Sequence, residues 1–129
     1  MSIEAFFQQY QQHYSQLDTA GVASMFTVPF TAIHHGDLSA WDDMAALTDT
    51  TAALLAWYRG QGFIGARHRL DGVQMLGDAA ASALVAWTVE RAGQPPWQYF
   101  TGYHLKKVRG DWKIYGIVQL DDMPDAAQA

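Results

Sequence analysis

Hydrophobic residues recur every three or four positions over the first 17 residues, with glutamines between them. The recurring positions are Ile3, Phe6, Phe7, Tyr10, Tyr14 and Leu17. This spacing places all of them on one face of a helix and predicts an amphipathic helix over residues 3–17. Ser2 is suited to cap its start, and Glu4 lies in the first turn, where the helix dipole favours a negative charge.

A second, shorter helix is predicted directly after the first. Asp18 or Thr19 can serve as its N-cap, and Pro29 is expected to end it. Its inward-facing residues are expected to be Val22, Met25 and Phe26. This helix would lead straight into the first strand of the chain.

Residues 28–35 have the composition of a β-strand, and Gly36 with Asp37 predicts a turn after them. Side chains alternate between the two faces of a strand, so Phe30, Ala32 and His34 share one face. His34 is thereby expected among apolar neighbours, where a polar side chain needs a structural or a functional reason.

A third helix is predicted from Ala40 to Arg59. Ser39 with Asp42 three residues later is a capping signal at its start, and Gly60 follows its end. Its apolar stripe consists of Met44, Leu47, Thr51, Leu54, Leu55 and Tyr58, with Trp57 on the flank.

The rest of the chain alternates as strands do, and turn residues separate its segments. Strands are predicted at residues 63–76, 80–91, 97–108 and 112–121. Helices first and a run of antiparallel strands afterwards is the α+β pattern. A single domain is expected over residues 1–129, with an ordered core at about 2–122 and a frayed tail from residue 123.

The closing hairpin sorts side chains between the two faces of the sheet. A four-residue turn at 108–111 pairs Leu105 with Ile114 and Tyr103 with Gly116. The residues expected on the concave face are Tyr99, Thr101, Tyr103 and Leu105, then Val85, Trp87 and Val89, and then Ile64, Ala66, His68 and Leu70. Those expected on the convex face are Phe100, His104, Tyr115 and Ile117, beside Leu84.

Composition excludes several classes of partner. Eight basic side chains against thirteen acidic ones give a net charge of −5, which disfavours nucleic acid and anionic membrane surfaces. There is no cysteine, and therefore no disulfide or thiol nucleophile. The N-terminus lacks a signal-peptide pattern and no apolar stretch is long enough to span a bilayer, so the cytoplasm is the expected location.

Two weak motifs are set aside on physical grounds. The five histidines lack metal-binding spacing, so no metal or cofactor is expected. Residues 60–65, GQGFIG, match a glycine pattern of dinucleotide sites. In such sites the glycines follow a strand and open a helix, whereas here they end a predicted helix and open a predicted strand.

The complete layout resembles the nuclear-transport-factor-2-like (SnoaL-like) superfamily. The resemblance is carried by the segments 25-MFTVPF-30, 77-GDAA-80 and 110-GDWKI-114, together with the order of the elements. It implies a cone in which a strongly curved antiparallel sheet wraps around three N-terminal helices and leaves an open-ended pocket. Members include ketosteroid isomerases, polyketide cyclases, dehydratases and epoxide hydrolases, and also non-catalytic modules, so the fold leaves the chemistry open.

The candidate site follows from the pocket and the resemblance together. His34 stands where the isomerase branch carries a carboxylate base, and imidazoles commonly transfer protons near neutrality. Tyr14 and Tyr103 are candidate donors to a developing oxyanion. The expected substrate-binding residues are Phe30, Trp57, Tyr58, His68, Trp87 and Tyr99.

Two functions therefore remain open at this point. The first is binding of a small apolar or carbonyl-containing molecule, with cofactor-free isomerase, cyclase or dehydratase chemistry at His34. The second is a non-catalytic dimerisation or partner-binding module whose cone is filled by its own aromatic residues. In either case the apolar convex face predicts a homodimer, because large exposed apolar patches mark interfaces.

Overall fold

The computed structural model describes residues 1–120. In order, the chain forms α1 (Ile3–Ser15), α2 (Thr19–Ala23), β1 (Phe26–His34), β2 (Asp37–Trp41), α3 (Met44–Gly60), β3 (Phe63–Met75), β4 (Ala80–Arg91), β5 (Gln94–Val108) and β6 (Asp111–Gln119). The tail predicted to fray from residue 123, the predicted core limit at 122 and the last residue of the predicted final strand lie outside the described residues.

The strands form one curved, open sheet in the order β2-β1-β6-β5-β4-β3. All neighbouring pairs are antiparallel except β1 and β6, which run parallel. The apolar face of α1 packs into the concave side of this sheet, where Phe7, Val85, Leu105 and Ile114 are fully buried. The predicted α+β cone is confirmed.

The two N-terminal helices begin where their caps predict. The Ser2 hydroxyl accepts the Ala5 N–H at 3.1 Å, and the Asp18 carboxylate accepts the Gly21 N–H at 3.0 Å. Helix α1 ends at Ser15, before the predicted end at Leu17, because Leu17 has a left-handed backbone with φ of 50°. Pro29 does not end α2; it lies inside β1.

The predicted start of the third helix is wrong. A strand, β2, occupies residues 37–41, and α3 begins at Met44. His35 and Gly36 both have positive φ, which builds a two-residue hairpin turn and pairs β2 with β1. Asp43 is the residue that caps α3, by accepting the Ala45 N–H at 3.1 Å.

A β-bulge in β6 changes the predicted register of the closing hairpin. Leu105 pairs with Ile114 as predicted, but the next residues shift, so Tyr103 pairs with Ile117 and not with Gly116. Tyr115 is the extra residue of the bulge. Because the shift reverses the alternation beyond it, Ile117 lies on the cavity side and not on the predicted convex face.

A second β-bulge lies at the start of β3 and changes which of its side chains face inward. The register shifts between Phe63 and Gly65, so Phe63 packs against the core and Ile64 is 64% exposed. Ile64 was predicted to face inward. Ala66 is 4% exposed and does face inward. The loop between β4 and β5 is also shorter than predicted, because β5 begins at Gln94 and not at residue 97.

Candidate functional site

A cavity of about 870 Å³ opens between α3, the β1–β2 hairpin and the ends of β5 and β6. Most side chains on its wall are apolar or aromatic. Eight of the predicted site residues line it: Tyr14, Phe30, His34, Trp57, Tyr58, Trp87, Tyr99 and Tyr103. The volume is in the range of small-molecule sites, roughly 300–1,000 Å³.

His34 is the last residue of β1 and lies on the cavity wall. Its Nε2 atom is shielded from solvent and has no hydrogen-bond partner among the described residues. The ring packs edge-on against His35, with 4.1 Å between ring centres. A buried polar atom without a partner costs about 1–3 kcal/mol, so a ligand atom that bonded Nε2 would relieve that cost.

The inner end of the cone is filled by tyrosines that hydrogen-bond to one another or to tryptophan. The hydroxyls of Tyr58 and Tyr99 are 3.0 Å apart, and the Trp87 Nε1–H donates to the Tyr103 hydroxyl at 2.9 Å. Burial raises the pKa of five tyrosines at this end, namely Tyr10, Tyr14, Tyr58, Tyr99 and Tyr103. These phenols therefore stay protonated and act as donors, not as bases.

His68 is the one predicted site residue that lies away from the cavity wall. Its Nδ1 contacts Gln11 Oε1, and its backbone N–H donates to the same oxygen at 2.8 Å. Because an amide oxygen only accepts, Nδ1 carries the proton. Burial lowers the pKa of His68, which favours this neutral form. Its contacts fasten β3 to α1.

Two tryptophans form the outer part of the wall, and both are held in place by other side chains. Trp57 stacks on Trp97 with ring centres 5.2 Å apart, and the Arg91 guanidinium lies 4.1 Å from the Trp97 ring centre. The Trp41 Nε1–H donates to Thr50 Oγ1 at 3.1 Å. Trp41 was missed from sequence because its strand was assigned to the start of a helix.

A polar group at the cavity end of β6 was also missed. Gln119 lines the cavity beside Thr101. The Thr101 hydroxyl donates to Gln119 Oε1 at 3.1 Å, and Gln119 Nε2 donates to the Phe100 carbonyl at 2.9 Å. The bulge at Tyr115 determines which face Gln119 occupies, and no residue pattern in the strand marks that bulge.

The glycine motif at residues 60–65 lies between the end of a helix and the start of a strand, as predicted. Helix α3 ends at Gly60 and β3 begins at Phe63, the reverse of the strand-to-helix order of a dinucleotide site. Within residues 1–120, no three His, Cys, Asp or Glu side chains are grouped as a metal site would require. No helix in this part of the chain combines the length and the apolar character needed to cross a membrane.

One curated protein matches about half of the chain in sequence. Over 62 residues, 48% of this chain, the sequence is 40% identical to a shikimate dehydrogenase (NADP(+)) from Aeromonas hydrophila. The matched segment is 21% of that protein, so the chain spans about a fifth of the length of the curated relative it matches.

Solved structures match much more of the chain. An NTF-2-like protein of unknown function from Shewanella oneidensis superposes with a TM-score of 0.75 at 15% identity, covering 92% of this chain and 96% of that one. A ketosteroid isomerase-like protein from Erwinia carotovora has a TM-score of 0.70 at 16% identity, covering 95% of each chain. At these identities the likeness establishes the fold alone.

The family assignment rests on the sequence over nearly its whole length. A family described as NTF2-like protein (DUF6841) matches residues 1–122, which include every described helix and strand and all the residues that line the cavity. The resemblance seen in the sequence is thereby confirmed. The chain belongs to the NTF2-like protein (DUF6841) family.

Proposed function

We propose that this protein binds a small, largely apolar ring compound in the cavity and that His34 exchanges a proton with it. The observation that carries the proposal is a cavity of about 870 Å³ with a mostly apolar and aromatic wall that includes His34, whose Nε2 atom is buried and has no hydrogen-bond partner among the described residues. An apolar wall favours ring systems by removing their surface from water, and a few polar groups then fix their orientation.

The proton-transfer part of the proposal needs one polar group that accepts a proton and others that keep theirs. The buried tyrosines hold their protons, because burial raises the pKa of each. Histidine is the residue type that most often accepts a proton in such a site. Isomerase, cyclase or dehydratase chemistry without a cofactor needs this pairing of one base with neutral donors, and a ketosteroid isomerase-like protein shares the fold.

A non-catalytic binding module is the second candidate, and one observation favours it. The hydroxyls of Tyr58, Tyr99 and Tyr103 already have partners within the protein. A tyrosine network that is satisfied internally stabilises the closed end of the cone without any substrate. On this alternative, ligands bind in the outer part of the cavity and leave unchanged.

Binding is tested with 2-tetralone, a two-ring ketone, by tryptophan fluorescence and thermal shift. We expect saturable quenching in the wild type. Ala53→Trp narrows the cavity, because Ala53 lies on its wall, and should weaken binding at least fivefold. Ala52→Trp is the matched control, since Ala52 is the neighbouring exposed residue of α3 and is not part of the wall. Equal affinity in both variants would place the binding site elsewhere.

Proton transfer is tested by exchange of the α-hydrogens of 2-tetralone in D2O, followed by NMR. We expect exchange above the buffer rate in the wild type and at the buffer rate in His34→Gln. The control is His13→Gln, because His13 pairs with Asp18 away from the cavity. Saturable binding with no exchange in the wild type would favour the non-catalytic alternative.

We also propose that two copies pair through the convex face of the sheet. Of the residues predicted for this face, Leu84, Phe100, His104 and Tyr115 remain there after the register correction, and Val118 joins them. Leu84 is 37% exposed in the single chain. A pair related by a two-fold axis would cover this surface, whereas a solvated sheet normally carries polar side chains there.

A further inference from the structure

Beside Asp37 of β2, which is the register partner of His34 and lines the cavity, three more polar residues stand in one row across neighbouring strands at the open end of the cavity. His34 of β1 is the register partner of Gln119 of β6, and Gln119 is the register partner of Thr101 of β5. All three line the cavity. Neighbouring strands lie about 4.8 Å apart, so the side chain of Gln119 starts within about 5 Å of that of His34.

The amide of Gln119 is held in one orientation. The Phe100 carbonyl can only accept a hydrogen bond, so the amide nitrogen must face it, at 2.9 Å. The Thr101 hydroxyl then donates to the amide oxygen at 3.1 Å. An amide nitrogen carries two hydrogens, so one N–H of Gln119 is left for a further acceptor.

The tyrosines are less well placed to act together with His34. Tyr103 lies on β5, two strands from β1, and its register partner is Ile117 and not Gln119. Its hydroxyl accepts from Trp87 at 2.9 Å, within the closed end of the cone. Among the cavity residues of the neighbouring strand β6, Gln119 is the one paired directly with His34.

We propose that Gln119 is the hydrogen-bond donor to the carbonyl oxygen of the bound compound, which makes the ligand class a cyclic ketone. This inference rests on the function proposed above. His34 takes a proton from the carbon next to the carbonyl, and the C–H electron pair forms a C=C bond to the carbonyl carbon. The π pair of the carbonyl moves onto the oxygen, which gives an enolate, and the Gln119 N–H stabilises that oxygen. The proton then returns from His34 to carbon, so no co-reactant is consumed. Thr101 is a positioning residue that holds the amide.

The test compares 2-tetralone with 2-methylenetetralin, in which a CH2 group replaces the carbonyl oxygen. Dissociation constants are measured by calorimetry for each variant. In the wild type we expect about tenfold tighter binding of the ketone, the size of one neutral hydrogen bond. In Gln119→Met this preference should fall below twofold, while the methylene compound binds within twofold of wild type. The control Gln98→Met alters an exposed glutamine of β5 that is not on the cavity wall.

The role of Thr101 is tested by a pair of variants at that residue. The same pair tests the assignment of Gln119 if Gln119→Met fails to fold. Thr101→Val keeps the branched shape and removes the hydroxyl, so the ketone preference should fall at least threefold. Thr101→Ser keeps the hydroxyl and should restore it. A ketone preference that survives both Gln119→Met and Thr101→Val overturns the assignment of Gln119 and leaves the proposed function standing. If neither compound binds the wild type, the proposed function itself fails.

Discussion

Ser15 joins the end of α1 to the edge strand β3 and provides the sharpest test of how the cone is held together. Its hydroxyl donates to the Ala66 carbonyl at 2.9 Å and accepts the Ala66 N–H at 3.0 Å. In the described sheet β3 has a partner strand on one side alone, so the serine replaces the missing strand at this residue. We predict that Ser15→Ala removes both bonds, weakens the attachment of β3 to α1 and lowers the stability of the fold.

The magnitude follows from the two hydrogen bonds and their burial. Each bond contributes about 0.5–1.5 kcal/mol net, and a buried group left without a partner costs about 1–3 kcal/mol. Ala66 is 4% exposed, so water replaces the serine poorly. We expect the free energy of unfolding to fall by about 2 kcal/mol. With a urea m-value of about 2 kcal/mol per M, the midpoint moves down by about 1 M.

The assay is urea unfolding followed by tryptophan fluorescence and circular dichroism. Ser24→Ala is the matched control, because the Ser24 hydroxyl makes one local bond, to the Gly21 carbonyl at 2.6 Å, at an exposed site. It should cost less than about 0.5 kcal/mol. Equal midpoints for the two variants, or a loss below about 0.5 kcal/mol for Ser15→Ala, would refute the bridging role of Ser15.

Three further predictions concern titration and assembly. Burial raises the pKa of the tyrosines at the closed end, Tyr14 and Tyr99 among them, so their stabilising contribution is complete below the unfolded value near 10 and is lost above it. Phenolate absorbance of the Tyr115→Phe variant, which keeps the five buried tyrosines, should therefore rise together with unfolding; a rise while that variant is still folded would contradict this. Burial lowers the pKa of His68, so its contribution is complete above about 6.5 and is lost as the pH falls. The stability difference between wild type and His68→Gln should shrink between pH 7 and pH 5, and a constant difference would count against it. Light scattering at micromolar concentration should give twice the chain mass, and Phe100→Glu should halve it; a wild-type monomer would exclude the convex-face pair.

Most of the fold could be predicted because its patterns are local. The spacing of apolar residues identified α1 and the buried stripe of α3, including Leu47, Leu55 and Tyr58. Alternation identified the inward faces of β4 and β5, which is why Trp87, Tyr99 and Tyr103 were placed on the cavity side. These patterns depend on residues a few positions apart, and a sequence displays them directly.

The errors arose where distant parts of the chain decide the outcome. Strand β2 forms because the turn at His35 and Gly36 returns it onto β1, and its residues resemble a helix start when taken alone. Ile64 and Ile117 were assigned to the wrong faces because bulges depend on the partner strand. Gln119 was overlooked for the same reason. The catalytic roles of His34, Tyr14 and Tyr103 stay predictions.

The bulge at Tyr115 has a consequence for comparing this chain with its relatives. Strand β6 consists of two segments with independent inside–outside phase, one containing Trp112 and Ile114 and the other Ile117 and Gln119. A relative that lacks the extra residue can keep the same pocket with a chain one residue shorter. Position matching across residue 115 without a gap would then exchange pocket residues for surface residues. The two segments should be aligned separately before any pocket position is transferred from one protein to another.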